Sequence, residues 1–124
     1  MKHDFWEYLQ QLVETNQIMI DHPKGSSHHR FPGVTYPVDY GFLDGTTTID
    51  SGGVDIWVGS LGEKKVIGAL CTVDLLKRDT ELKIIYDCTD NEIQTILNMI
   101  NSGQMRALFV EKETSKEHNY DVDT

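Results

Sequence analysis

The chain has 124 residues, a length that suits one domain built around one core. Hydrophobic residues make up 39% and charged residues 25%, with 10 glycines and 3 prolines, which excludes a disordered or fibrous chain. Eleven Lys and Arg against 20 Asp and Glu give a formal net charge of −9. We therefore expect no nucleic acid partner, because a phosphate backbone selects basic surfaces.

The hydropathy pattern predicts neither a membrane span nor a secretory leader. No run approaches the ~18 apolar residues that a span needs, and Asp4 and Glu7 interrupt the place of a leader. We expect a cytoplasmic protein without a membrane partner. Cys71 and Cys88 have a spacing that fits neither a disulfide framework nor a zinc motif, so we predict that both are small core residues on strands.

Hydrophobic periodicity and turn signals divide the chain into short elements. In chain order they are a helix over residues 4–16, a β run over 18–20, a polar loop over 24–31, an aromatic segment over 36–42, a β-branched segment over 46–49, hairpin arms over 54–59 and 65–73, a strand over 82–86, a helix over 91–101 and a strand over 106–110. Capping-box spacings mark both helix starts, with Asp4 and Glu7 at the first and Thr89 and Glu92 at the second. Gly103 follows the second helix at a position that favours a left-handed residue.

These elements predict one domain over residues 1–124, mainly β with two helices, and a flexible tail from about residue 112. The strands are expected to pair as an antiparallel meander. A small closed or partly open β-barrel is the economical architecture, because closure removes exposed strand edges.

Several polar residues are candidates for chemistry. Asp50 and Asp55 bracket a glycine-rich turn, where carboxylates either hold a hard cation or cap backbone amides. Tyr36 and Tyr40 either donate hydroxyl protons to phosphate oxygens or only pack in the core. Basic residues suit phosphate recognition or are simply solvated; they are Lys24, Arg30, Lys77, Arg78 and Lys83, with His28 and His29 beside Arg30.

A second acidic group surrounds the turn before the strand at 82–86. Asp74, Asp79 and Glu81 lie there, and Lys83 follows. Glu81 and Lys83 point to one side of a strand because side chains alternate with a period of two. A carboxylate and an ammonium are therefore predicted to be neighbours, either in a site or as a surface pair.

Three ordered segments carry recognisable motifs. Residues 20–26 read IDHPKGS, residues 36–42 read YPVDYGF and residues 46–58 read TTTIDSGGVDIWV. Together they resemble the soluble family I inorganic pyrophosphatases, whose corresponding segments read [IV]-E-I-P-K-G-S, then Y-P-x-N-Y-G-[FY], then a T/L/S-rich stretch followed by D-G-D-P-[LV]-D-[VI]-L-V. The resemblance covers residues 18–59 well and 65–84 loosely.

The resemblance implies an OB-like barrel that hydrolyses inorganic pyrophosphate with Mg²⁺, or with Mn²⁺, and that forms a homo-oligomer. It implies metal ligands at Asp21, Asp50, Asp55, Asp74 and Glu81. It also implies phosphate-binding residues at Lys24, Arg30, Tyr36, Tyr40 and Lys83, of which Lys24, Arg30 and Tyr40 join Asp55 as catalytic candidates.

Departures from the pattern leave other functions open. Gly52 replaces the middle aspartate, which the family uses to activate water, Gly53 replaces a proline and Asp39 replaces an asparagine. The alternatives are an impaired homologue that binds pyrophosphate or a nucleotide, and a hydrolase of a larger diphosphate.

Overall fold

A computed structural model describes residues 4–50 and 52–113 of the protein. Its elements, in chain order, are α1 (Phe5–Glu14), β1 (Ile18–His22), β2 (Asp39–Leu43), β3 (Val54–Val58), β4 (Val66–Asp74), β5 (Asp79–Tyr86), α2 (Asp90–Ile100) and β6 (Met105–Glu111). The predicted class, mainly β with two helices, is confirmed. The predicted tail falls largely on residues 114–124, which lie outside the described residues.

The six strands form one open sheet in the order β1-β2-β3-β5-β4-β6. Of the two predicted forms of the barrel, the structure therefore has the partly open one. Neighbouring strands are antiparallel except β3 and β5, which are parallel. The predicted meander, and the hairpin between the segments at 54–59 and 65–73, are therefore wrong. β4 and β5 are joined by a short turn and pair in a long antiparallel ladder, and the other edge of β5 pairs with β3.

Each face of the sheet has its own core because strand side chains alternate. The helix α1 covers one face, where Leu9 and Val13 pack on Leu43, Ile56 and Ile84. The helix α2 covers part of the opposite face; the buried residues there include Tyr36, Val38, Trp57, Leu70, Ile85, Cys88, Ile93, Ile96 and Ile100. The candidate site lies on this second face, beside the part that α2 covers.

The two helix starts differ from each other. Thr89 and Glu92 form the predicted capping box of α2, whereas the side chain of Asp4 makes no capping hydrogen bond to α1. Gly103 has the expected positive φ of 60°. Neither described helix is long and apolar enough to cross a membrane.

The prediction for the cysteines is right for one of them. Cys88 is buried at 2% exposure, but Cys71 is exposed. The alternation of β4 places Leu70 and Thr72 in the α2-side core and turns Cys71 to the other face, beyond the reach of α1. The side chain is therefore free of a covering helix.

Candidate active site

Four polar side chains from three neighbouring strands meet at one ammonium group. The Nζ atom of Lys83 donates to the hydroxyl of Tyr40 at 2.8 Å, to Oδ2 of Asp55 at 2.8 Å and to Oε1 of Glu81 at 2.9 Å. These residues stand on β2, β3 and β5, whose order in the sheet makes them neighbours. The predicted contact between Glu81 and Lys83 is confirmed, and these four predicted site residues form one cluster.

The charges in this cluster are fixed by its surroundings. Burial by itself lowers the pKa of Lys83, but the facing oxygens of Tyr40 and Asp55 outweigh burial and raise that pKa well above its ordinary value. Burial raises the pKa of Tyr40 well above the ordinary range, and this effect exceeds the opposing one of Lys83. At neutral pH the cluster therefore holds a charged lysine and a protonated tyrosine, which is a pair of proton donors.

The turn before β3 places a third carboxylate near this cluster. Oδ1 of Asp50 accepts hydrogen bonds from the Thr48 hydroxyl and from the Gly52 amide, and these bonds lower the pKa of Asp50. A Cβ atom on Gly53 would lie 2.8 Å from the Leu43 carbonyl oxygen, so the close approach of the two strands needs glycine there. The β-branched segment at 46–49 leads into this turn, as predicted, and threonine hydroxyls bond to the backbone around it.

These carboxylates line one open groove of about 930 Å³. Residues from the 48–55 turn and from the start of β5 form its walls, and its carboxylates belong to Asp50, Asp55, Asp79 and Glu81. Asp79 is not among the metal ligands that the resemblance implies. The sequence signal for Asp79 is its spacing of two residues from Glu81, which places both side chains on the same face of one strand. Lys77 lies 3.6 Å from Asp79 and 3.9 Å from Glu81 at the edge of the groove.

An aromatic stack continues from the cluster towards the loop at 24–35. The ring of Tyr40 lies 4.4 Å from Trp57 and 5.8 Å from Tyr36, and Tyr36 stacks on His22 at 4.7 Å and on His28 at 5.8 Å. Tyr36 is only 6% exposed, so its packing role is confirmed. His22 was not singled out from the sequence, where a lone histidine before a proline carries no signal of stacking.

Solved structures share this fold. An inorganic pyrophosphatase of Coxiella burnetii matches with a TM-score of 0.53 at 12% identity, over 86% of this chain and 89% of the other. An inorganic phosphatase of Anaplasma phagocytophilum matches with 0.53 at 12%, over 83% and 86%. The fold is pyrophosphatase-like. The Helicobacter pylori inorganic pyrophosphatase gives 0.52 at 14%, over 86% and 88%. Comparisons with protein-family models and with curated protein sequences gave no match.

Within this pyrophosphatase-like fold, two predicted phosphate-binding residues lie on the loop at 24–35. The backbone amide of Lys24 donates to Oδ1 of Asp39 at 2.7 Å, and the Gly25 amide donates to the Tyr36 carbonyl at 2.8 Å. Asp39 thus anchors the start of the loop through an acceptor oxygen. Arg30 is exposed further along it, and its amide donates to Nδ1 of His28.

Two predicted metal ligands have other contacts. Oδ1 of Asp74 accepts from the amides of Leu76 and Lys77, so this carboxylate caps the turn between β4 and β5. Asp21 lies on the edge strand β1, with Oδ1 3.8 Å from Nε2 of His22. Their assignment as metal ligands stays a prediction.

The donor set of the groove suits a hard divalent cation in kind. Carboxylate oxygens are the ligands that Mg²⁺ prefers, and a carboxylate offers about four acceptor positions, so Asp55 and Glu81 keep capacity beyond Lys83. Over residues 4–50 and 52–113, no three His, Cys, Asp or Glu side chains already form a group that holds a metal ion. The carboxylates of the groove fit the ion by their chemistry, while Lys83 occupies the position between two of them.

Proposed function

We propose that this protein hydrolyses inorganic pyrophosphate with Mg²⁺, or with Mn²⁺, in the groove beside Lys83. The observation that carries the proposal is the contact of Lys83 with Tyr40, Asp55 and Glu81 at the wall of an open groove. The pyrophosphatase-like fold supports it. A cytoplasmic location, expected from the sequence, belongs to the same proposal.

The charge of the groove explains why a divalent cation is needed. Four carboxylates line the groove, while Lys83 and Lys77 bring two positive charges to it, so the groove itself repels a diphosphate anion. Asp50, Asp55 and Glu81 are the residues that we expect to hold the cation. When bound, Mg²⁺ supplies positive charge to the phosphate oxygens and makes water a better nucleophile at neutral pH.

The chain's own residues have distinct parts in this proposal. Lys83 stays charged and Tyr40 stays protonated. The three N–H groups of Lys83 are held by Tyr40, Asp55 and Glu81, so Lys83 donates to a phosphate oxygen by exchanging one of these partners, while Tyr40 donates through its hydroxyl hydrogen. Lys24 and Arg30 bring positive charge from the loop at 24–35, and Tyr36 holds the aromatic stack that joins this loop to Tyr40.

A second candidate function is binding of pyrophosphate or a nucleotide without turnover. Gly52 favours it, because the resemblance places the water-activating carboxylate at that position. A Cβ atom on Gly52 would meet only Asp50 Oδ1, at the ordinary contact distance of 3.5 Å. An aspartate therefore fits at position 52, and its introduction is a clean test.

Phosphate release from inorganic pyrophosphate, measured with Mg²⁺ and with Mn²⁺, distinguishes these functions. Asp55→Asn removes a groove carboxylate and we expect a loss of ~10²-fold or more in kcat/KM. Asp44→Asn is the matched control, because Asp44 is exposed in the turn after β2, and we expect no change. Fluorescence of the buried Trp57 beside Tyr40 reports binding and folding in each variant.

The outcomes separate the candidates. Metal-dependent turnover that Asp55→Asn abolishes and Asp44→Asn preserves supports hydrolysis. Pyrophosphate binding without phosphate release, with activity appearing in Gly52→Asp, supports the binding protein. Phosphate release from a nucleoside diphosphate but not from pyrophosphate indicates a larger substrate. No metal-dependent binding of either compound contradicts the placement of the site.

A further inference from the structure

We propose that two copies of this protein associate through the uncovered half of the sheet face that carries α1. Five side chains, here called the open face, define this surface: Cys71, Val73, Leu82, Leu108 and Val110. All of them belong to β4, β5 or β6. The proposal goes beyond the proposed function and does not depend on it.

The open face continues the core under α1, and neither described helix covers it. Leu82 lies two residues before Ile84 on β5, so both side chains point to the same face, but Ile84 is fully buried while Leu82 is 38% exposed. Cys71 is paired with Leu82 on one side and with Leu108 on the other, which makes the surface continuous across three strands. Among the described residues, α1 packs only on the neighbouring half of this face.

The apolar side chains of the open face are exposed to a large extent. Leu108 is 67% exposed, Val73 46% and Val110 39%, and the adjoining turn adds Leu75 and Leu76 at 68% each. Together these side chains expose roughly 600 Å² per copy, which is at the upper end of the largest apolar patch that a soluble monomer carries. Two copies face to face would bury about 1,200 Å², the lower limit of a stable specific interface.

Charge selects a second copy as the occupant. The chain carries a net charge of −9, so most of its surface repels a copy of itself. The open face contains no Asp or Glu, because Asp79 and Glu81 alternate to the opposite face with Lys83, and the charged residue at its border is Arg106, opposite Val73. This is therefore a surface on which two copies meet without opposing carboxylates.

The chain's own C-terminal segment is a poorer occupant. Residues 114–124 include only Tyr120 and Val122 as sizeable apolar side chains, and the other nine are polar or charged. They cannot match an aliphatic surface of three strands. Two sheets pack face to face at a separation of about 10 Å, with the side chains of both interdigitating.

Sedimentation of the full-length chain and its variants tests the proposal. We expect a wild-type assembly with an even number of copies, and half its mass for Leu108→Lys, because each interface would bury two unpaired charges. The expected weakening is roughly 100-fold or more in the dissociation constant. Tyr8→Lys is the matched control, since Tyr8 on α1 is also 67% exposed, and it should keep the wild-type mass.

The rate at which the Cys71 thiol reacts gives a second readout and needs no introduced residue. Burial raises the pKa of the Cys88 thiol to about 12, so Cys71 is the thiol that reacts with a disulfide reagent. Association should slow its labelling at least tenfold, and dilution or Leu108→Lys should restore the rate. Cys71→Ser identifies the signal.

Three results would overturn the proposal. The first is a wild-type monomer at about 100 μM, well above the dissociation constants of specific interfaces. The second is an assembly that Leu108→Lys leaves unchanged, which would assign the contact to another surface. The third is slow labelling of Cys71 in a monomer, which would assign the cover to residues 114–124.

Discussion

Replacement of Lys83 by methionine is the sharpest test of the charge arrangement in the site. Methionine retains much of the buried length of the side chain, which is only 10% exposed, and removes the ammonium. Asp55 and Glu81 then lose the group that both of them contact at under 3 Å. Two carboxylates are left facing each other on adjacent strands.

The size of the effect follows from the geometry. Because both carboxylates touch the same nitrogen atom, their oxygens lie within about 6 Å of each other, where two like charges repel by ~3 kcal/mol at an effective dielectric constant of 20. The side chains are 30% and 26% exposed, so water screens part of this energy. We expect the free energy of unfolding at pH 8 to fall by about 2 kcal/mol.

Urea unfolding followed by tryptophan fluorescence measures this loss. Lys77→Met is the matched control, since Lys77 is 52% exposed and reaches Glu81 only at 3.9 Å, and it should cost less than ~1 kcal/mol. Adding Glu81→Gln removes the repulsion and should recover stability at pH 8. Equal losses for the two lysine variants, or no recovery on adding Glu81→Gln, would refute the reasoning.

Three further substitutions test the surroundings of the site. Gly53→Ala brings a Cβ atom to 2.8 Å from the Leu43 carbonyl and should cost about 1–3 kcal/mol in urea unfolding, whereas Gly33→Ala, with no atom within 4 Å, should cost less than ~0.5 kcal/mol. Thr89→Ala removes the capping box of α2 and should cost about 1 kcal/mol, with the loss in helicity read by circular dichroism. Burial, with nearby positive groups, lowers the pKa of His28, so the folded chain binds this proton less tightly than the unfolded chain. Stability is then lost as the pH falls through and below about 6.5, and His28→Phe, which keeps a ring in the stack, should show a smaller fall in Tm between pH 7 and pH 5.

The features of the fold that the sequence predicted correctly depend on residues close together in the chain. The apolar spacing of α2 and the pair Thr89 and Glu92 fix that helix through contacts within one turn. Gly103 takes its left-handed conformation for the same local reason. By contrast, Asp4 and Glu7 have the same spacing as a capping box, yet the side chain of Asp4 makes no such bond. The capping-box spacing in a sequence therefore allows the hydrogen bonds of a capping box but does not ensure that they form.

Strand pairing was beyond the sequence because it depends on distant partners. A hairpin between β3 and β4 and one between β4 and β5 have similar turn signals, and only the longer ladder of the second pair decided between them. The difference in burial between the two cysteines also depends on distant parts of the chain. Cys71 and Cys88 look alike in sequence, but the two faces of the sheet are covered to different extents.

The candidate site divides in the same way. The sequence by itself determined the residue types, the motif order and the shared side of Glu81 and Lys83, because a period of two is a property of any strand. Only the tertiary structure brought Tyr40 and Asp55 to Lys83, since β2, β3 and β5 become neighbours through a parallel pairing that no local signal encodes. The same sheet order joined Asp79 to the groove, whereas local hydrogen bonds hold the carboxylate of Asp74, the last residue of β4, over the turn that follows. The sequence motifs thus identified the candidate groups, and long-range strand pairing decided which of these groups come into contact.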